Sequence, residues 1–138
     1  MQQVILDIGY KEEEKALILV VDDEPALQSL VFDTLADDYR LIRAYNGREA
    51  IQTAERQKPN LILMDVMMPD IGGYEAVRLL KGNYLTKDIP IIMISANDFD
   101  SSTINLIKNE SNVKGFLMKP FRPNQLRAIV KEYVLPLK

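Results

Sequence analysis

Leu17-Ile18-Leu19-Val20-Val21-Asp22-Asp23 is an apolar run that stops on two acids. Leu61-Ile62-Leu63-Met64-Asp65 repeats the pattern, and Ile91-Ile92-Met93-Ile94-Ser95 repeats it with a hydroxyl in place of the acid. Short unbroken apolar runs suit strands covered on both faces, as in a parallel sheet sandwiched by helices. Gly115-Phe116-Leu117-Met118 is a weaker version that ends on Lys119, and Tyr39–Tyr45 alternates less cleanly, as an edge strand does.

Helical spacings lie between the runs. Leu27, Leu30, Val31 and Leu35 fall on one face behind Pro25. Ala50, Ile51 and Ala54 follow Asn46-Gly47, while Tyr74, Val77 and Leu80 are closed by Gly82. Ile104 and Ile107 predict a short, polar fourth helix, and Leu126, Ile129, Val130 and Tyr133 a fifth, opened by Pro123 and closed before Pro136. Strict alternation predicts one α/β domain. Its doubly wound five-stranded parallel sheet would have right-handed crossovers that put helices on both faces. Residues 1–14 read as an extension, an apolar patch followed by the charge run Lys11-Glu12-Glu13-Glu14, and residues 15–138 as the domain.

Composition narrows the function. At 138 residues, 47% hydrophobic and 27% charged, the chain has ordinary globular usage and enough length for one core. Its net charge of −3 leaves no basic excess to neutralise phosphates, which disfavours direct nucleic-acid binding. Having no cysteine excludes disulfides, zinc-thiolate sites and thiol nucleophiles. Having no histidine excludes an imidazole base, and any phosphohistidine carried by this chain. No apolar run reaches the roughly 18 residues of a membrane span, and the N-terminus lacks the features of a secretory signal. A cytoplasmic location without membrane insertion is the expectation.

The polar residues carry the functional reading. Parallel strands end on one edge of their sheet, so Asp22, Asp23, Asp65, Ser95 and Lys119 should converge on one rim, where open α/β sheets place ligands. Three carboxylates facing one ammonium leave an excess of negative charge. A hard divalent cation with oxygen ligands, Mg²⁺ (or Mn²⁺), resolves that excess. A metal-free set of Asp–Lys and Asp–backbone bonds would not explain why three acids share one lysine.

Val20-Val21-Asp22-Asp23-Glu24, Asp65-Val66-Met67-Met68-Pro69-Asp70-Ile71-Gly72-Gly73-Tyr74-Glu75, Ser95-Ala96 and Lys119-Pro120-Phe121 together resemble the receiver domain of two-component response regulators, over about residues 16–134. The resemblance implies a flavodoxin-like fold of strand order 2-1-3-4-5. It implies that Asp65 accepts a phosphoryl group from a phosphohistidine on a histidine kinase or histidine phosphotransfer protein. Asp23 and Asp65 would bind Mg²⁺ directly, the Met67 backbone carbonyl would be a third ligand, and Asp22 would act mostly through water. Lys119 would pair with phosphoryl oxygens, Ser95 would hydrogen-bond them, and small Ala96 would leave them room. Phe116 would turn into the space vacated when the Ser95 loop moves inward, and Lys119-Pro120 resembles the family's cis peptide. Such a chain is a signalling switch, catalysing its own phosphorylation and dephosphorylation, whose output to a downstream protein runs through the fourth helix, fifth strand and fifth helix.

Two departures stand out. The stretch from Ser95 to Lys119 is slightly longer than usual, and Asn109–Lys114 lacks the small-residue turn before the last strand, so a rearranged fourth helix and exit loop is expected. The Met1–Glu14 extension has no family counterpart. An added helix or strand, a homodimer contact and a cloning remnant all fit it. Among competing readings, a haloacid-dehalogenase-like phosphatase needs Asp-x-Asp on the first strand. A flavodoxin needs a Ser/Thr-rich loop where Asp22-Asp23-Glu24-Pro25 stands, and a P-loop NTPase needs a glycine-rich Lys motif that is missing. The alternative that survives is a phosphorylation-independent docking module on the same fold.

Overall fold

The apolar runs become strands at the expected places. A computed structural model describes residues 15–96 and 101–137 of the chain. In it, β1 (Leu17–Val21), β2 (Arg40–Ala44), β3 (Leu61–Asp65), β4 (Ile91–Ala96) and β5 (Val113–Lys119) form one sheet of order β2-β1-β3-β4-β5, parallel throughout. Five helices connect or follow them: α1 (Pro25–Leu35), α2 (Gly47–Gln57), α3 (Gly73–Lys81), α4 (Ser101–Lys108) and α5 (Pro123–Tyr133). The extension over residues 1–14 lies outside the described residues.

Alternate side chains of each strand feed two cores. Leu19, Val21, Ile62, Met64, Ile91 and Met93 pack with α2, α3 and α4 on one face. Ile18, Val20, Leu61, Leu63, Ile92 and Ile94 pack with α1 and α5 on the other. Each fully buried Leu or Ile stabilises the fold by about 1.5–3 kcal/mol over its exposed state, which is why both faces of β1 and β3 are apolar.

The helix ends follow local chemistry. Pro25 and Pro123 open α1 and α5, where a missing N–H costs nothing. Asn46 caps α2 by accepting from the Glu49 N–H at 2.9 Å, and the Glu49 carboxylate accepts from the Tyr45 N–H at 2.8 Å. The helix therefore begins at Gly47 itself, one residue earlier than the Asn46-Gly47 turn suggests.

Two sequence expectations need correction. Leu30 is 42% exposed, and Gln28 takes the buried place beside Leu27, Val31 and Leu35. The last strand starts at Val113, two residues before the apolar run, because a register shift against β4 accommodates Lys114 between the Ile91–Val113 and Ile92–Gly115 pairings. As the Asn109–Lys114 sequence leads one to expect, the exit from α4 is not a small-residue turn. Buried Asn112 ends it, donating to the Val77 carbonyl at 3.1 Å and fastening the loop to α3.

Candidate functional site

The carboxyl ends of β1, β3, β4 and β5 meet on one edge of the sheet. Asp65 is the last residue of β3 and pairs in register with Ile94, so Ser95 stands one step further along β4. Ala96 pairs with Lys119, which brings the end of β5 alongside. One carboxylate oxygen from each of Asp22, Asp23 and Asp65 lies within 4.8 Å of the others. The Lys119 Nζ sits 3.3 Å from Asp65 Oδ1 and 3.7 Å from Asp22 Oδ2. The Lys119–Pro120 peptide bond is cis.

The acids differ in environment. Asp22 and Asp65 are buried and Asp23 is exposed. Asp22 Oδ1 accepts from the Glu24 N–H at 2.8 Å, but Oδ2 has no hydrogen-bond partner among the described residues. Burial pushes the Asp22 carboxyl up to about 6, against the pull of that N–H, with the Asp65 charge adding to the rise. Burial also raises Asp65, while the Lys119 ammonium and the Met67 N–H oppose the rise. A dry carboxylate whose Oδ2 has no hydrogen bond and only the Lys119 ammonium at 3.7 Å, beside two further acids, is chemically suited to a hard divalent cation.

The remaining residues surround this centre. Met67 is 65% exposed, just past Asp65. The buried Ser95 hydroxyl donates to the Ala96 carbonyl at 3.1 Å. Half-buried Phe116 carries the Lys108 ammonium 5.5 Å from its ring centroid. Ser95, Ala96, Phe116 and Lys108 line a cleft of about 370 Å³ with Ile104 and Met118.

Two glycines beside Asp65 look interchangeable in sequence and are not. A Cβ on Gly73 would lie 2.9 Å from the Asp65 carbonyl oxygen and from the Val66 Cα, whereas one on Gly72 would meet nothing within 4 Å. Gly73 lets α3 start directly against the strand end that carries Asp65, its N–H donating to the Val66 carbonyl at 3.0 Å. Asp70, in the left-handed region at φ 67, turns this loop and pairs with Arg48 at 3.1 Å. The residue that spacing arguments missed is Gln28, whose amide reaches the carbonyls behind the acids.

Residues 18–131 match the family model of the response regulator receiver domain. The chain belongs to that family. As a receiver domain it is a phospho-accepting module of two-component signal transduction. It is 36% identical over 115 residues to the alkaline phosphatase synthesis transcriptional regulatory protein PhoP of Bacillus subtilis, covering 83% of this chain and 46% of that protein. It spans about half the length, or less, of the curated relatives it matches. The receiver domain of the Pseudomonas aeruginosa sensor histidine kinase PA1611, with a magnesium ion in its active site cleft, superposes at TM-score 0.78 and 30% identity, covering 86% of this chain and 97% of that one. Chemotaxis response regulator CheY4 of Vibrio cholerae superposes at 0.79 and 30%, covering 87% and 99%. The strand order and five helices of the receiver fold are those read above. Among the described residues, no helix is long and apolar enough to cross a membrane.

Proposed function

We propose that residues 15–138 act as a phosphorylation switch with Asp65 as acceptor. The observation that carries this is the Lys119 ammonium bridging Asp65 and Asp22 at 3.3 and 3.7 Å beside a third carboxylate. Asp23 and Asp65 would hold Mg²⁺ (or Mn²⁺) directly with the Met67 carbonyl, and Asp22 would hold it through water. When bound, the cation supplies charge neutralisation to the transferring phosphoryl oxygens. The chain's own residues do the rest. An Asp65 carboxylate oxygen forms the new P–O bond as the P–N bond of a partner's phosphohistidine breaks, and the released imidazole takes a proton from water. Phosphoryl transfer asks chiefly for positioning and electrostatic stabilisation, and an in-line carboxylate beside a fixed ammonium provides both.

The donor would be a histidine kinase or histidine phosphotransfer protein in the cytoplasm. Once attached, the phosphoryl oxygens would pair with Lys119 and draw the Ser95 hydroxyl from the Ala96 carbonyl, with Ala96 leaving room. Phe116 would then repack in the cleft it shares with Ser95 and Lys108, altering the α4–β5–α5 surface offered to a downstream protein or to a second copy of the chain. A Phe has no hydroxyl to hydrogen-bond outward, so this step works by packing alone.

Incubation with Mg²⁺ and acetyl phosphate tests the reading by intact mass. A gain of one phosphoryl group that disappears in Asp65→Asn is the expected result. Failure of the wild-type chain to take up phosphate would favour a docking module that works without phosphorylation.

A further inference from the structure

Gln28 stands on α1 with its side chain wholly out of solvent. Its amide nitrogen reaches three backbone carbonyls, those of Val20 and Ala44 at 3.0 Å each and that of Asp22 at 3.2 Å. Three carbonyl oxygens around one atom require a donor there, so the nitrogen and not the oxygen faces them. The Gln28 Oε1 is left with no hydrogen-bond partner among the described residues.

The three carbonyls have one thing in common. Val20 lies in strand β1 two residues before the first acid, Asp22 is that acid, and Ala44 ends the neighbouring strand β2. Asp22 is also held through its own N–H, which donates to the same Ala44 carbonyl at 3.1 Å. The peptide units on both sides of Asp22 are thus tied to β2, one directly and one through Gln28. Burying an amide is unfavourable unless its groups are satisfied, and here one of them is not. A Leu or Met on this inner face of α1 would avoid that cost, so the donors must hold something that packing alone does not.

We propose that Gln28 is a positioning residue for the acidic pocket, fixing the backbone that carries Asp22 and Asp23 and so setting the affinity for the divalent cation. The inference rests on reading Asp22, Asp23 and Asp65 as the Mg²⁺ site. Outer partners that orient metal ligands typically change affinity by about 10–100-fold when removed.

The test uses the full chain and Mg²⁺ alone as probe, with the dissociation constant read by calorimetry. The rate of phosphoryl uptake from acetyl phosphate is followed against Mg²⁺ concentration. Gln28→Met keeps the length of the arm and removes its donors. It is expected to raise the Mg²⁺ dissociation constant about tenfold or more, while uptake at saturating Mg²⁺ stays close to wild type. Leu35→Ala, on the buried face of the same helix, is the stability control and should lower the urea midpoint without moving the Mg²⁺ constant. If Gln28→Met does not fold, Gln28→Asn, one methylene short of the carbonyls, carries the same expectation. Wild-type affinity in the folded Gln28 variant, or equal weakening in Leu35→Ala, would overturn the proposal alone. A wild-type chain that binds no Mg²⁺ would overturn the metal site as well.

Discussion

The acidic cluster is held by two regions built to different standards. On one side, β1 and β3 occupy the middle of the sheet, every residue of both is buried, and their acids leave the strands on backbone gripped by Gln28, Ala44 and the close approach of Gly73. On the other side, β5 is an edge strand with a register shift in which only Leu117 is buried, and α4 is short. The cleft that Phe116, Ser95 and Lys108 share lies on this second side. The difference assigns a division of labour. Carboxylates that share a cation and an attacking geometry need a backbone without slack, whereas a surface that must change needs neighbouring space. A phosphoryl group adds roughly −1.5 to −2 charge at the stiff side. On the proposed reading, the response would fall on the less tightly packed side.

The largest test of that contrast is truncation. Leu63→Ala, in the fully buried middle of β3, is expected to cost about 2–5 kcal/mol in urea unfolding. Met118→Ala on β5, where the side chain is 45% exposed, should stay within about 0.5 kcal/mol. Equal costs would mean that the two sides are equally packed and would remove the basis for the division.

The second test sits beside Asp65. Gly73→Ala forces a methyl group against backbone atoms of Asp65 and Val66 at 2.9 Å, and neither can yield as a flexible side chain could. A loss of about 1–3 kcal/mol is expected, as for overpacked sites, together with slower phosphoryl uptake as the end of β3 shifts. Gly72→Ala meets open space at φ −72 and should be neutral in both assays. A tolerated Gly73→Ala would show that the acid side has slack after all.

The same contrast governs what could be read in the sequence. The central strands were legible because burial on both faces demands unbroken apolar runs, and the rim was legible because parallel strands must end on one edge. Ser95 and Lys119 were placed by that rule alone. Gln28 was not, because spacing arguments assign polar residues to the outside. Yet it stands at i, i+3 and i+7 with Val31 and Leu35, and that spacing was the available signal. The start of β5 was misread for the opposite reason. An edge strand with an extra residue has no need of a continuous apolar run, so Val113-Lys114 left no pattern. The unequal roles of Gly72 and Gly73 depend on which peptide unit faces β3, and two adjacent glycines carry no such information.

The smallest expected effect concerns charge rather than packing. Asp22 is buried ionised only at a cost, with its carboxyl raised from 3.8 to about 6. A carboxyl whose folded pKa exceeds its unfolded one binds protons more tightly when folded. It therefore opposes folding above the folded pKa, and that penalty is relieved as pH falls from there toward the unfolded value. For the metal-free chain, Asp22 alone should make the fold more stable by about 1 kcal/mol near pH 5 than near pH 7.5, and the raised Asp65 acts in the same direction. Mg²⁺ competes with those protons, so saturating cation should shrink or reverse the difference. Asp22→Asn should shrink the metal-free difference, leaving the part due to Asp65, while weakening Mg²⁺ uptake. Urea midpoints at the two pH values, with and without Mg²⁺, decide it. A profile left unchanged by Asp22→Asn would mean that the stiff side carries no electrostatic strain for a cation to relieve.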